Sequence, residues 1–505
     1  MTAMPMLAAR PLGQNSYQRH KPEETVLYKI IQENLETFLT MVREETGQPL
    51  PDFVEKEFYE YLRCGILAHG FLRVQCESCH AEKLVAYSCK KRGFCPSCGG
   101  RRMSETAIHL VDSVLPVKPL RQWVISFPFQ IRLLLAIRPK LMGAVLHITH
   151  ECIANHLRQK AGFAKSDAKA GAVTLIQRFG GSINLNVHMH QIFIDGVYEL
   201  GEDDEPTTFH ATPIPTNAEL TTVLDKIIKR ITNLLERRGI IVKDDGQGIQ
   251  IDLSDDDSFA KLQAGAITYR FAFGPNKGKK ALTLKTVMEQ DHISNFGLVA
   301  KNSGFSLHAG VAIPGTERDK IEKLCRYIAR PAVALERLSV NANGQVVYSL
   351  KKPYSDGTTH IVLQPLELLE KLAAIVPRPK IHLTRFHGVL APHYKHRKLI
   401  VPKPPPVKEV NLTVAEISQE PASKARISWA RLLKRVFNID IEVCDSCGGK
   451  TKIIGAIEDP RVIRKILDHL GLPTKPPVIS QARGPPSYSS RFMEDFSQES
   501  SFEFD

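Results

Sequence analysis

A chain of 505 residues exceeds what one hydrophobic core serves, so roughly two to four domains are expected. Its 43% hydrophobic and 24% charged residues exclude a wholly disordered chain. It has no apolar run of about eighteen residues and no apolar leader, so a cytosolic protein without a membrane role is expected. A net charge of +13 excludes an acidic scaffold and favours a polyanionic partner.

Residues 1–50 read as an N-terminal helical arm, with Val26, Ile30, Ile31, Leu35, Phe38 and Leu39 at helical spacing between Glu24 and Thr46. Residues 51–118 read as a zinc-binding domain. After a helix over Phe53 to Cys64 come Cys76-x-x-Cys79 and, fifteen residues on, Cys95-x-x-Cys98. That spacing predicts one four-thiolate zinc site in a segment too short to bury a core of its own. Cys64 and Cys89, with His69 and His80 nearby, either make a second mixed site or pack as buried thiols. Lys90, Lys91, Arg92, Arg101 and Arg102 form a basic surface suited to phosphate contacts. Cys152 and Cys325 read as small core hydrophobes.

A third region spans 119–395. It opens with a buried strand over Leu120 to Phe129, a long helical stretch from Ile131 to Lys160 and a strand over Val173 to Phe179. The strand Asn184 to Gly196 follows. Alternation sends His188 and His190 to one face and Leu185, Val187, Met189 and Phe193 to the other. Two imidazoles one residue apart on a strand can share a divalent cation. The element order predicts an α+β fold, an antiparallel sheet with helices on one face and a functional site on the other.

Residues 201–265, with acidic clusters at Glu202 to Glu205 and Asp255 to Asp257, read as an inserted subdomain. Ile267 to Phe273 is expected to be a strand. A helix over Thr316 to Arg330 buries Ile321, Leu324, Cys325 and Ile328, while Lys320, Lys323, Tyr327 and Arg330 fall on its other side. Cations around a tyrosine favour phenolate and attract phosphate. Joined with the histidine pair, Tyr327 suggests strand nicking through a phosphotyrosyl intermediate, assisted by a histidine-held cation such as Mg²⁺ or Mn²⁺.

Strands over Val346 to Leu350 and His360 to Leu363 and a helix over Leu366 to Ala374 precede a basic, histidine-rich tract between Arg378 and Lys398, a DNA-tracking surface. Residues 396–426 read as a basic Pro-rich linker. A small C-terminal module, 427–475, holds a basic helix over Ile427 to Phe437, the half-knuckle Cys444-x-x-Cys447, and a helix capped by Asp459. Two thiolates leave a tetrahedral site half built. Other ligands fold over, a second subunit contributes, or the thiols stay free. The tail, 476–505, is expected to be disordered.

Four stretches in order resemble the IS91-type insertion-sequence transposases: Ser88 to Cys98 with Arg101-Arg102-Met103, Asn184 to His190 with Asp195-Gly196-Val197, Cys325 to Pro331, and Phe386 to Pro392. The resemblance runs from about residue 55 to 395 and resumes at Cys444 to Gly471. It implies a zinc-binding N-terminal domain and an HUH endonuclease domain that moves single-stranded or hairpin DNA by a rolling-circle route. Carried over by position, His188 and His190 would be metal ligands, Tyr327 the nucleophile, and Gln177 a third ligand. Relatives with two catalytic tyrosines carry the second four residues on, where this chain has Pro331, so a single-tyrosine branch is implied. A bacterial, nucleoid-associated enzyme drawing on a host helicase or replication for strand separation is expected. The alternatives are a non-catalytic zinc-dependent DNA-binding protein and a rolling-circle replication initiator.

Overall fold

The computed structural model describes residues 19–241, 257–286, 297–403 and 442–484. The expected helix Ile427 to Phe437, most of the linker, the acids Asp255 and Asp256 and both chain ends lie outside these residues.

Thr25 caps α1 (Val26–Thr46) by accepting from the Tyr28 N–H, and Gly47 ends it in the left-handed region at φ 69°. Then come α2 (Asp52–Arg63), the hairpin β1 (Phe71–Cys76) and β2 (Glu82–Ala86), α3 (Pro96–Ser113) and β3 (Leu120–Ser126). The helical stretch expected over 131–160 is made of two helices, α4 (Phe129–Ile137) and α5 (Pro139–Lys160), because Pro139 has no N–H to continue the first and suits the opening turn of the second. β4 (Ala168–Lys169), β5 (Gly171–Phe179), β6 (Leu185–Ile194), β7 (Gly196–Leu200) and β8 (Pro206–Ala211) lead to α6 (Asn217–Arg237) and α7 (Ser258–Ile267). After β9 (Leu282–Lys285), β10 (Val299–Asn302) and β11 (Phe305–Ile313) come α8 (Arg318–Ile328), β12 (Leu338–Val340), β13 (Val346–Ser349), β14 (Thr358–Leu363) and α9 (Pro365–Ile375). The described chain closes with β15 (Thr384–Gly388), α10 (Arg397–Ile400), β16 (Thr451–Ile457) and α11 (Pro460–His469).

Ile267 to Phe273 is not a strand. α7 ends at Ile267, and the Ala272 and Phe273 N–H groups donate to the buried Glu370 carboxylate instead of to a neighbouring strand. The described part of the tail is also ordered: Gln32 Nε2 donates to Val478 O at 2.7 Å, and the Arg483 N–H donates to Thr37 Oγ1 at 3.0 Å, both on α1.

The centre is a six-stranded antiparallel sheet in the order β10-β11-β3-β6-β5-β15. Strand alternation divides its side chains. Trp123, Ile125, Ile176, Val187, Met189 and Phe193 enter the large core, which α1, α2, α4 to α7 and α9 complete. Leu120, Val173, Leu175, Ile192 and Ile194 enter a second core under α3 and α8. The sheet is therefore covered on both faces, and the helices do not leave the histidine face bare. A buried pair locks its central strands: Arg121 on β3 holds Asp195, just past β6, at 2.8 Å and donates to Ala309 O on β11 at 3.0 Å.

Candidate active site

His188 and His190 lie on β6 in the stretch beyond the part roofed by α8, facing the same side, with ring centroids 4.9 Å apart. His188 donates from Nδ1 to its neighbour's carbonyl, Asn186 O, at 2.9 Å, which leaves Nε2 bare. His190 is buried, with Gln122 Nε2 at 2.7 Å from Nδ1 and Gln177 Oε1 at 3.2 Å from Nε2. Burial first, then the Arg132 and Arg330 guanidiniums, hold His188 down to about 4; burial, His188 and Arg330 lower His190 as well. Both rings are thus neutral at pH 7, the form that binds metal.

Gln177 sits opposite His188 in the β5–β6 register and on the same face. Its Nε2 donates to Ile328 O at 3.4 Å, at the end of α8 and one residue past Tyr327. Donor atoms about 3 Å apart match an edge of the octahedron that Mg²⁺ prefers, and Gln177 Oε1 and His190 Nε2 have nearly that separation. The two imidazoles suit divalent transition metals and the amide oxygen suits Mg²⁺ or Mn²⁺, so the set can ligate a divalent cation without selecting one.

Tyr327 is 45% exposed on α8. The cations at its ring are Arg330, 4.7 Å from the centroid, and Lys351, 4.9 Å away. Of the other two expected there, Lys320 pairs with Glu317, and Lys323 is exposed further up the helix. Lys351, in the turn after β13, left no signal in spacing. Nor did Gln122, one of three polar residues on β3 with Arg121 and Ser126.

The cysteines are grouped otherwise than expected. Cys76, Cys79, Cys95 and Cys98 do not form one tetrad. Cys64, Cys89, Cys95 and Cys98 form one, and Cys76 and Cys79 join Cys444 and Cys447 in another. The reason lies in the backbone. β2 carries the chain about 17 Å away from the hairpin tip before Cys95 is reached, whereas β16 pairs along β1 and brings the second knuckle beside Cys76. His69 lies outside both groups, so a mixed thiolate and imidazole site is not formed.

Sulfur separations are 3.4 Å for Cys89 and Cys98, 3.7 Å for Cys64 and Cys98, and 3.5 Å for both Cys76 with Cys447 and Cys79 with Cys444. A tetrahedron with Zn–S bonds of about 2.3 Å has edges of about 3.8 Å, whereas a disulfide needs about 2.05 Å. The N–H groups of Ser78 and Cys79 donate to Cys76 Sγ, those of Ser446 and Gly449 to Cys444 and Cys447. These bonds hold Cys76 down to about 6, and hydrogen bonds from Cys64, then Cys89 and Cys95, hold Cys98 far below the ordinary thiol range. Both groups fit structural zinc.

The basic knuckle residues are partly committed within the fold. Arg92 donates to Ile381 O, Arg101 pairs with Glu105, and Arg102 donates to the carbonyls of Lys90 and Lys91. The Lys90 ammonium is left exposed, and that of Lys91 half-buried, without an ion pair among the described residues. His387, in the basic tract, stacks on His150 at 4.4 Å on the sheet face opposite His188.

Two family models match this chain, one described as Putative transposase over residues 171–398 and one as Transposase zinc-binding domain, of the IS91 type, over residues 30–127. The chain belongs to the IS91-type transposases. No curated protein and no solved structure matches it. As an IS91-type transposase it is a DNA-processing enzyme with structural zinc. The zinc-binding match ends at residue 127, so the tetrad completed by Cys444 and Cys447 reaches beyond it. No described helix of this transposase is long and apolar enough to cross a membrane.

Proposed function

We propose that this transposase nicks and joins single-stranded DNA through a covalent bond between Tyr327 and a backbone phosphorus. The carrying observation is Gln177, whose amide lies 3.2 Å from His190 at one end and 3.4 Å from the carbonyl of Ile328, next to Tyr327, at the other. His188, His190 and Gln177 would hold Mg²⁺ or Mn²⁺, which when bound polarises the scissile phosphate. Arg330, over the Tyr327 ring and near both imidazoles, would bind the same phosphate. The Tyr327 oxygen attacks phosphorus, the bond to the departing sugar oxygen breaks, and reversal on a new strand end gives joining. With Pro331 where a second tyrosine would stand, one phenol serves each step, and strand separation falls to a host helicase or replication. Lys90, Lys91, Lys320 and Lys323 are proposed phosphate contacts.

Incubating the full chain with a labelled element-end oligonucleotide and Mn²⁺ should give a denaturation-resistant adduct that Tyr327→Phe abolishes. Equal adduct from both proteins would reject Tyr327 as the nucleophile.

A further inference from the structure

Behind the central sheet, on the face away from His188, α5 and α6 flank a half-open recess of about 230 Å³ whose cations, Lys226, Lys229 and Arg230, are exposed. Cys152, Asn155 and His156 line it from α5, and Lys226, Lys229 and Arg230 from α6; among the described residues no carboxylate does. The nearest acids have other partners. Glu219 holds Lys160 at 2.6 Å, Glu151 lies 3.7 Å from Arg158 and 3.5 Å from Lys165, and Asp225 accepts from Asn302 at 2.7 Å. Lys226, Lys229 and Arg230 have no ion pair among the described residues. Arg230 turns inward, its Nη1 3.6 Å from the buried Cys152 Sγ, and the buried Nε2 of His156 has no hydrogen-bond partner.

Three cations and an unpartnered imidazole converging on a recess without acids are the chemistry of a phosphate site. The volume falls below the roughly 300 Å³ at which whole small-molecule sites begin, which disfavours a complete nucleotide and suits one phosphodiester. We propose that this pocket binds a phosphate group supplied by the DNA backbone, so that a strand is held on the far side of the sheet from the histidines. This rests on DNA being the substrate, not on Tyr327 being the nucleophile.

The test uses the full zinc-loaded chain and a fluorescent single-stranded oligonucleotide titrated at several salt concentrations. Lys226→Gln/Lys229→Gln/Arg230→Gln should weaken binding about tenfold and lower the slope of log affinity against log salt by about 0.7, the contribution of one phosphate contact. Lys56→Gln/Lys140→Gln/Lys465→Gln, which removes as much charge elsewhere, should change affinity less than about twofold and the slope by less than one contact. Millimolar inorganic phosphate should raise the melting temperature of wild type and not of the pocket variant. If the pocket variant is itself less stable, the exposed single change Lys229→Glu takes its place. Binding and slope equal to the control, with no stabilisation by phosphate, would overturn the proposal. Stabilisation by phosphate with an unchanged DNA slope would overturn DNA as the source. Loss of the adduct assignment at Tyr327 would leave every one of these readings in force.

Discussion

Two glutamines govern His190. With Gln122 Nε2 donating to Nδ1, the ring proton sits on Nε2 and is directed at Gln177 Oε1. A cation on Nε2 needs the other tautomer, and turning over the Gln122 amide provides it, because Oε1 then accepts from Nδ1–H. Gln122→Leu should therefore weaken Mn²⁺ binding about 10- to 100-fold, measured by electron paramagnetic resonance titration, with the melting temperature little changed. Undiminished Mn²⁺ binding would show that Gln122 does not set the tautomer. The paired histidines were legible in the sequence because alternation along one strand is local. Gln122 was not, since only the pairing of β3 with β6 brings it alongside a histidine 68 positions away.

At the scale of elements, α3 and α8 run antiparallel, and α3 sets where Tyr327 stands. The Arg318 guanidinium, at the start of α8, donates to the carbonyls of Val111 and Leu115 at the end of α3. At the opposite end a Cβ on Gly99 would lie 2.7 Å from Pro331 Cβ, so that approach requires glycine. Cys95 and Cys98 stand at the same end of α3, which ties the metal to the tyrosine helix. Gly99→Val should push the helices apart and lower adduct formation on the order of a hundredfold, the cost of a displacement of about 1 Å. Zinc content, measured alongside by atomic emission, should stay at its wild-type value; an undiminished adduct yield would show that this contact does not position Tyr327. Helical periodicity revealed α8 within two residues at each end, yet nothing in it said that α3 was its neighbour. β15 and β16 were also hidden, the first in a basic tract and the second between a knuckle and a capped helix, where no alternating apolar run is long enough to read.

For the whole molecule, the sequence spacing identified the metal-binding residue type but paired the wrong knuckles, because distance along the chain says nothing of which strands will lie side by side. β1, β2, β16 and α11 share a core of only Phe71, Ile463 and Leu467 with a few partly buried neighbours, too little to hold without metal. Wild type should carry two zinc ions per chain, and Cys444→Ser/Cys447→Ser should carry one. In that variant limited proteolysis should open the chain between 442 and 471, and two retained zincs would refute the grouping. The second tetrad also imposes an order on biosynthesis. Cys79 emerges from the ribosome 365 residues ahead of Cys444, a wait of about 20 to 70 s at ordinary elongation rates. During that interval the hairpin presents two thiols with nothing to close them. A polypeptide released early keeps them bare, so only a product translated past Gly449 seals its own amino-terminal third.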